Sequence, residues 1–404
     1  MLLQNGIERV IERVLAQSPI PMRVELWDGR RFEVGAAPTV SLKITGPRAL
    51  PYFLAPTLDR LGEAFVEGHV EVEGPVHDVI RAGVGLASRA SDNARAAPPS
   101  PKRHSRELDR DAIAYHYDVS NEFYGLFLDR EMVYSCAYFA AQDDSLDKAQ
   151  ERKLDHVLRK LRLQQGERLL DIGCGWGALI VRAAKQYGAI ATGITLSRNQ
   201  FEFVRERIRA EGLEDRCAVQ LRDYRDVPDT DGFDKIASVG MFEHVGFENL
   251  PVYFGKIRDL LRPGGLVLNH GITASQVDEG NAVCGGGEFI ERYVFPHGEL
   301  PHLSRAIREI SAAGLEVVDV ESLRRHYART CRQWADRFQS NLDRARTLAG
   351  ERRARIWRVY LAGCAYGFER GWVNVHQVLA CKAVDGDLGS LPHTRDFMYD
   401  RSSS

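Results

Sequence analysis

The chain has 404 residues, a length that leaves room for two or three domains of about 150 residues and a sizeable core. Its 44% hydrophobic residues, 27% charged residues and formal net charge of -2 are near the globular average and exclude a disordered or collagen-like class. The 54 basic and 56 acidic residues give no global field for nucleic-acid binding.

The sequence predicts a cytoplasmic protein with reduced thiols. No apolar run reaches the roughly 18 residues that a membrane-spanning helix needs, and the first residues lack a signal-peptide core. The 7 cysteines are scattered, with no C-x-x-C pair, so neither a disulfide framework nor a zinc site is expected. We therefore expect no metal ion.

Residues 1–90 are predicted to form a small α+β domain. A run at 23–27 alternates apolar and polar residues and is closed by Asp28 and Gly29, which predicts a hairpin. The hairpin follows an amphipathic helix whose apolar face carries Ile7, Val10, Ile11, Val14 and Leu15. The segment 91–108 is small, polar and proline-rich, as exposed linkers are, and we place the domain boundary there.

In the second domain, predicted at 109–392, helical patterns alternate with short apolar runs. This alternation predicts an α/β fold with a parallel, doubly wound sheet. Its predicted strands are the runs 168–172, 189–194, 218–221, 235–239 and 266–270. The chain beyond Asp319 is predicted to be mostly helical, and residues 393–404 form a polar tail.

A glycine-rich run, D-I-G-C-G-W-G at 171–177, follows one predicted strand and precedes a helical pattern. Glycines at such a turn let the backbone approach a ligand closely, although a tight turn alone is the alternative. A dinucleotide fingerprint needs its third glycine one residue later and an acid about 20 residues on, where this chain has 195–200, T-L-S-R-N-Q. The run therefore argues against NAD. Ser197 and Gln200 also match a capping box, so a structural role for them stays open.

The glycine run resembles motif one of the S-adenosylmethionine methyltransferases, and four further groups of residues narrow the match. They are Y-H-Y-D at 115–118 with Y-S-C-A-Y-F at 134–139, T-L-S at 195–197 with N-Q at 199–200, G-M-F-E-H at 240–244 and H-Y at 326–327. Together these motifs resemble the cyclopropane-fatty-acyl-phospholipid synthase family, which includes the mycolic acid cyclopropane synthases. The resemblance implies a Rossmann-like S-adenosylmethionine domain, preceded by a lipid- or partner-docking domain.

The resemblance also implies a reaction. An alkene carbon of an unsaturated phospholipid acyl chain attacks the sulfonium methyl of S-adenosylmethionine, and the resulting carbocation loses a proton to close a cyclopropane ring. Members of the family are understood to use bound bicarbonate as the base. On this chain the implied ligands of the anion are the side chains of Glu243, His270 and Tyr327, with Cys136 and Ile272 contributing main-chain groups.

Each of these side chains has a structural alternative. Glu243 follows a predicted strand and matches an acid at a helix N-terminus. His270 alone reads as a hydrogen-bonded core histidine, and Tyr327 as an interface aromatic with its hydroxyl in water. Their joint appearance in the order of the family favours the catalytic interpretation.

The cofactor site implied by the resemblance is spread over four segments. Its residues are Tyr134, Ser135, Asp171, Gly173, Cys174, Gly175, Gly177, Thr195, Leu196, Ser197, Gln200, Asp223, Tyr224 and Arg225. The turn at 223–226 is expected near the adenine. Mycolic-acid members carry a Trp-Glu pair where Tyr224 and Arg225 align, which favours the phospholipid branch of the family.

Between Arg324 and Arg358, eleven arginines stand against three acidic residues. This segment favours a patch that holds the enzyme on phospholipid at the inner face of the membrane, and a solvated helical face with Arg–acid pairs is the alternative. The expected partners are unsaturated phospholipid and, in a homodimer, a second copy of the chain, but no nucleic acid. Two other functions stay open: a methyltransferase that yields methyl-branched or methylene chains, and a non-catalytic lipid-binding protein.

Overall fold

The computed structural model describes residues 11, 15, 16, 18–88, 120–229, 232–277, 287–296, 298–389 and 391–399. The predicted linker at 91–108 lies outside these ranges, as does the predicted first helix apart from Ile11 and Leu15, which are buried. No helix of the described part is long and apolar enough to cross a membrane.

The elements are numbered here along the chain. The strands are β1 (Met22–Glu25), β2 (Arg31–Val34), β3 (Val40–Ile44), β4 (Val70–Glu73), β5 (Arg168–Ile172), β6 (Ile190–Thr195), β7 (Cys217–Leu221), β8 (Phe233–Val239), β9 (Leu261–Ala274), β10 (Glu316–Ser322) and β11 (Val373–Cys381). The helices are α1 (Leu50–Leu54), α2 (Leu58–Val66), α3 (Val76–Ser88), α4 (Asn121–Gly125), α5 (Leu146–Lys160), α6 (Ala178–Tyr187), α7 (Arg198–Ala210), α8 (Leu250–Leu260), α9 (Gly287–Tyr293), α10 (Leu303–Ala312), α11 (Arg324–Ser340) and α12 (Leu342–Arg370).

The chain divides into two compact units that do not follow the predicted boundary. The first unit comprises residues 1–100, 280–296 and 331–372, and the second comprises 101–279, 297–330 and 373–404. Helix α12 and most of α11 therefore cluster with the N-terminal residues, whereas the sequence analysis assigned them to the second domain. Sequence patterns miss this division because it depends on contacts between residues nearly 300 positions apart.

The first unit is a four-stranded sheet covered by helices. Its strand order is β2-β1-β3-β4, with β1 antiparallel to β2 and parallel to β3. The predicted hairpin is confirmed, since the Leu26 amide donates to the Arg30 carbonyl at 2.9 Å across the turn. Alternate residues of β1 and β3 are buried, which gives the sheet one apolar face for its helices. Helix α12 packs on α2 and α3 and is interrupted at Gly350, where φ is +80°.

The second unit is a seven-stranded sheet in the order β10-β11-β9-β8-β5-β6-β7. Its strands β5 to β9 confirm the five predicted runs, and they pair in parallel. The prediction of an all-parallel sheet is wrong at β11, which is antiparallel to both β9 and β10. The expectation of a mostly helical chain beyond Asp319 is confirmed by α11 and α12, and β11, which follows them, joins the sheet through the distant strands β9 and β10.

The strand order fixes where a ligand can bind. The chain leaves β5 toward β6 on one side and reaches β8 on the other, so the connections diverge at the carboxyl end of β5. Open α/β sheets bind ligands in the crevice at such a switch point. The glycine-rich run 171–177 begins at this end of β5.

Candidate active site

A cleft of about 1190 Å³ lies in the second unit at the carboxyl ends of β5, β6 and β8. Twelve of the fourteen implied cofactor residues line it: Tyr134, Ser135, Asp171, Gly173, Cys174, Gly175, Thr195, Leu196, Gln200, Asp223, Tyr224 and Arg225. The structure thus brings together four segments that the sequence separates by as many as 91 positions. The motif at 115–118 lies outside the described residues.

Gly177 and Ser197 are not among the residues that line the cleft. Gly177 precedes α6 in the left-handed conformation, with a φ of 80°. The Ser197 hydroxyl accepts a hydrogen bond from the Gln200 amide at 3.3 Å and so caps α7. The capping interpretation of Ser197 is confirmed.

The turn after β5 is held against β6 and leaves room in front of it. The amides of Gly173 and Cys174 both donate to the Ile194 carbonyl at 3.0 Å. Gly175 has a φ of +53°, and a β-carbon added there would meet no atom within 4 Å. The backbone can therefore approach a ligand closely at this point.

Two buried charges of opposite sign, Asp171 and Lys153, lie in the wall of the cleft. Burial raises the pKa of Asp171 to about 7 against the opposing effect of Lys153. One oxygen of Asp171, Oδ1, has no hydrogen-bond partner among the described residues. The Lys153 ammonium donates to the Ser135 hydroxyl at 3.0 Å, and burial lowers the pKa of Lys153 to about 8. Asp171 is thus a buried acceptor available to a polar ligand.

Internal hydrogen bonds fix the far walls of the cleft. The Arg225 guanidinium donates to both carboxylate oxygens of Asp223, at 2.8 and 2.7 Å, and lies 5.3 Å from the Tyr224 ring centroid. The Thr195 hydroxyl donates to Gln200 Oε1 at 2.8 Å. These side chains are held in place before any ligand arrives, which lowers the entropic cost of binding.

A second group of polar residues surrounds Glu243, in the short turn after β8. Its carboxyl group is 6% exposed, and Oε1 accepts a hydrogen bond from the Ile272 amide at 2.6 Å. The other oxygen, Oε2, is buried and has no partner among the described residues. Burial raises the pKa of Glu243 to about 7, although the bond from Ile272 opposes the shift. A protonated Glu243 can donate a hydrogen bond as well as accept one.

His270 lies on β9, two residues before Ile272, and is 2% exposed. The Gln377 amide group donates from Nε2 to His270 Nδ1 at 3.2 Å, across the register that pairs β9 with β11. Burial, together with nearby Lys153, lowers the pKa of His270 to about 3, so the ring is neutral at neutral pH. Since Nδ1 accepts, the ring proton is on Nε2, which is buried and has no partner in the described part.

Short contacts connect Cys136 and Tyr327 to the same end of the sheet. The Cys136 thiol donates to the Leu323 carbonyl at 3.7 Å, and the Tyr327 amide donates to the same carbonyl at 2.9 Å. The Leu323 amide in turn donates to the carbonyl of Val375, which is the register partner of Ile272. Burial raises the pKa of the Cys136 thiol, which is not set up as a nucleophile.

The donors at this point suit a small anion. A protonated carboxyl at Glu243 and the Nε2–H of His270 are both buried hydrogen-bond donors, and the atoms that would carry these protons lack partners among the described residues. Buried polar atoms are paired in nearly all native structures, so these two unpartnered atoms are candidate positions for a polar ligand. Bicarbonate, with three oxygens, fits this donor set.

Comparison with known proteins shows the family. A family model described as "Mycolic acid cyclopropane synthetase" matches residues 104–378, which is more than half of the chain. The chain belongs to this family. A second model, described as a domain of unknown function, matches residues 10–94.

Two related proteins are similar in sequence to most of this chain. A "Probable fatty acid methyltransferase" of Pseudomonas putida is 50% identical over 393 residues, covering 96% of this chain and all of that protein. An "S-adenosylmethionine-dependent methyltransferase" of Mycobacterium tuberculosis is 39% identical over 274 residues, covering 66% of this chain and 95% of that protein.

A solved structure of mycolic acid cyclopropane synthase CmaA1, complexed with SAH and CTAB, matches with a TM-score of 0.63 and 35% identity. The match covers 68% of this chain and 98% of that one. The chain is therefore an S-adenosylmethionine-dependent methyltransferase with a Rossmann-like domain.

Sequence reasoning missed three polar residues of the site. Gln377 sets the ring proton of His270, and Lys153 binds Ser135 inside the cleft. Asn121 accepts from the Trp176 indole at 2.8 Å and from Asn199 at 3.0 Å, so it joins the glycine turn to α7. Lys153 had a signal, because it falls on the apolar face of α5, where a lysine is rare.

Proposed function

We propose that the protein transfers the methyl carbon of S-adenosylmethionine to the double bond of unsaturated phospholipid acyl chains, and that an anion bound by Glu243 and His270 assists deprotonation to a cyclopropane ring. Family membership and the relatives named for fatty acids support the class of substrate. The observation that carries the anion is the pair of buried polar atoms, Glu243 Oε2 and His270 Nε2, that have no partner among the described residues.

S-adenosylmethionine supplies an electrophilic methyl group when bound, and bicarbonate supplies a base. The residues of the chain bind and orient these groups. Asp171 offers a buried acceptor in the cleft, and Gly175 lets the backbone approach. Glu243, with a pKa of about 7, holds a proton on a substantial fraction of molecules and donates it to the anion, while the Ile272 amide fixes its carboxyl.

The tautomer of His270 also suits an electrophilic methyl donor. Nδ1 is bonded to the Gln377 amide, and Nε2 carries the proton. Neither ring nitrogen then presents a free lone pair to the methyl group, because the Nδ1 pair is used in the hydrogen bond and the Nε2 pair is delocalised. An anion held by neutral donors therefore provides basicity without an alkylatable side chain beside the cation.

A second candidate function is methylation of the same alkenes without ring closure. The specific observation in its favour is the 50% identity to a protein named as a fatty acid methyltransferase. Both reactions pass through the same cation, so they differ only in its fate. Mass spectrometry of phospholipids, after expression in a host that lacks such enzymes, separates them: a mass gain of one methylene with loss of the alkene indicates the ring.

We further propose that the enzyme reaches its substrate by peripheral association with the membrane. The arginine-rich segment supports this proposal only in part, because several of its arginines form ion pairs within the protein. Arg332 forms an ion pair with Glu369. Arg352 pairs with Glu67 at 2.9 Å, and Arg355 pairs with Glu71. The alternative of Arg–acid pairs therefore holds for at least these side chains.

The Glu243→Gln variant tests the anion. We expect turnover to fall by roughly 10²-fold, the usual scale for a positioned acid–base group, with little change in S-adenosylmethionine affinity. In the parent enzyme turnover should also decline as pH rises through about 7, because Glu243 loses its donor proton there. The permanently protonated amide of the variant removes this decline.

The measurement is turnover of unsaturated phospholipid vesicles with bicarbonate depleted and then resupplied. Glu248→Gln, at an exposed position five residues on, is the matched control and should behave as the parent does. Indifference of the parent to depletion, together with near-normal activity of Glu243→Gln, would exclude the anion mechanism.

A further inference from the structure

A polar cavity in the first unit shares no residue with the site discussed for the reaction. It is lined by residues of α2, β3, β4 and both segments of α12. Its charged lining consists of four cations and three carboxylates: Lys43, Arg346, Arg355, Arg358, Glu71, Glu73 and Glu351.

Two of the three carboxylates, Glu71 and Glu351, already form ion pairs with arginines. Arg355 pairs with Glu71 at 2.6 Å and with Glu351 at 2.7 Å. Arg346 also pairs with Glu351, at 2.9 Å. The third carboxylate, Glu73, is exposed at the end of β4. Among the described residues, two cations of the lining, Lys43 and Arg358, therefore have no charged partner, and only Arg358 of the two is buried.

Arg358 is only 8% exposed, yet its hydrogen-bond partners are neutral. Its Nε donates to Gln339 Oε1 at 2.8 Å, and its Nη1 donates to the Val72 carbonyl at 3.2 Å. No carboxylate of the described part lies within ion-pairing distance of it. Burial, together with nearby Arg346 and Arg355, lowers the pKa of Arg358. A buried guanidinium without a counter-ion is costly, and an anionic ligand removes this cost.

A second observation points the same way. The guanidinium groups of Arg355 and Arg358 lie 5.3 and 5.8 Å from the centroid of one ring, that of Phe65. Two like charges share this ring, so they repel each other across the cavity. An anion in the cavity attracts both. The planar fork of arginine matches the oxygens of a phosphate in particular, and Lys43 adds an exposed cation to the lining.

We propose that this cavity binds a phosphate group, with Arg358 as its main ligand and with Lys43 and Arg346 as further cations. The phosphate belongs either to the headgroup of a phospholipid or to a free phosphate compound. The site itself does not depend on the proposed reaction, and only the lipid source rests on the proposed function.

The first test measures the thermal unfolding midpoint of the full-length protein in inorganic phosphate and in chloride at equal ionic strength. We expect phosphate to raise the midpoint of the parent, and the Arg358→Gln variant to bind phosphate about tenfold or more weakly. Arg353→Gln is the matched control, since it removes the same charge from an exposed position of α12 and should respond as the parent does. Equal responses of all three proteins would overturn the proposal.

The Lys43→Gln variant provides a second test in case Arg358→Gln does not fold. Lys43 is an exposed residue of the lining, so its loss should leave the fold intact and weaken the response to phosphate. If Lys43→Gln responds as fully as the parent and Arg358→Gln does not fold, the proposal fails.

Flotation with phosphatidylcholine vesicles containing phosphatidic acid distinguishes the two sources. Flotation that falls in Arg358→Gln but not in Arg353→Gln identifies the headgroup, whereas unchanged flotation with a lost response to phosphate identifies a free phosphate compound. An enzyme that forms no cyclopropane but still responds to phosphate through Arg358 would refute the proposed function and leave this site standing.

Discussion

Gly175 and Gly177 stand two residues apart in the turn after β5 and are glycines for different reasons. A β-carbon at Gly177 would lie 2.7 Å from a methyl group of Val204, so this glycine serves helix packing. A β-carbon at Gly175 would meet nothing within 4 Å, and the residue lines the cleft. Of these two glycines, only Gly175 therefore borders the space that a ligand would fill.

Gly175→Ala should weaken S-adenosylmethionine binding by about tenfold or more, because the added methyl group enters the cleft. Gly166→Ala is the matched control, since Gly166 also has a positive φ, +79°, and free space around it, but does not line the cleft. Both variants should lose about 1 kcal/mol of stability to the left-handed backbone. Calorimetric titration measures the affinities, and equal affinities would exclude this position of the cofactor.

Gln377 controls the protonation of His270 and is a positioning residue. In Gln377→Met the donor to Nδ1 is lost, so we expect a mixture of tautomers and a fall in turnover of about tenfold. Nitrogen NMR of the parent should show His270 neutral and protonated on Nε2 between about pH 5 and 8, since its pKa is about 3. An imidazolium signal from the parent at pH 6 would contradict this assignment.

The buried imidazole of His270 makes the free energy of unfolding depend on pH. Unfolded His270 takes up a proton below its ordinary pKa of 6.5, whereas in the folded chain burial keeps it neutral down to about 3. Its contribution to the free energy of unfolding is therefore present above pH 6.5 and is lost as pH falls below that value.

Most of the implied cofactor residues line the cleft, but the residues that support them were not predicted. Glycine turns and strand ends carry local motifs, and the family resemblance that rests on such motifs implied the twelve cofactor positions that line the cleft. Gln377 acts through the pairing of β11 with β9, and Asn121 acts through contacts with residues more than 50 positions away. Such roles have no local signature, because they depend on which elements become neighbours.

Among the elements, the inner parallel strands were predictable and the reversed strand was not. Strands buried on both faces are continuous apolar runs, which is how β5 to β9 were recognised. Strand β11 begins V-N-V-H-Q, an alternating polar run that follows a helix of 29 residues. The division into units was also beyond local patterns, since α12 joins the first unit through side chains such as Arg355.

The turn that carries Glu243 is fitted closely against β9. A β-carbon at Gly271 would lie 1.9 Å from the Phe242 ring, so Gly271→Ala should displace this turn and lower turnover by about tenfold or more. The double variant with Phe242→Leu should recover part of the activity, because the smaller side chain frees space.

Gly255→Ala in α8 is the control for this pair, since an added methyl group meets nothing there. Turnover and near-ultraviolet circular dichroism measure the effects. Full activity of Gly271→Ala would show that the position of the turn does not matter for the reaction.

At the scale of the molecule, the first unit is built from segments that are far apart in the chain, 1–100, 280–296 and 331–372. His77 pairs with Asp336 at 2.8 Å, and Arg355 pairs with Glu71 at 2.6 Å. Removing residues 1–104 therefore exposes the surface of α12 on which the helices and strands of the first unit pack. We expect the truncated chain to unfold at a lower temperature than the full chain and to self-associate through the uncovered face.

Thermal unfolding and size-exclusion chromatography measure these two effects. A truncated chain that is monodisperse and unfolds at the same temperature as the full chain would show that residues 331–372 are stable by themselves. In that case loss of vesicle activity in the truncated chain would report on lipid delivery rather than on folding.

The burial of Cys136 and Cys174 has a consequence for the working life of the enzyme. Cys174 lines the cleft that would hold the methyl donor, and the thiol of Cys136 donates to the Leu323 carbonyl. Burial raises the pKa of both thiols, and a thiol is a far weaker nucleophile than a thiolate. Sulfur atoms that would otherwise compete with the alkene for the methyl group are thereby kept inert, so the protein is protected from alkylating itself over many catalytic cycles.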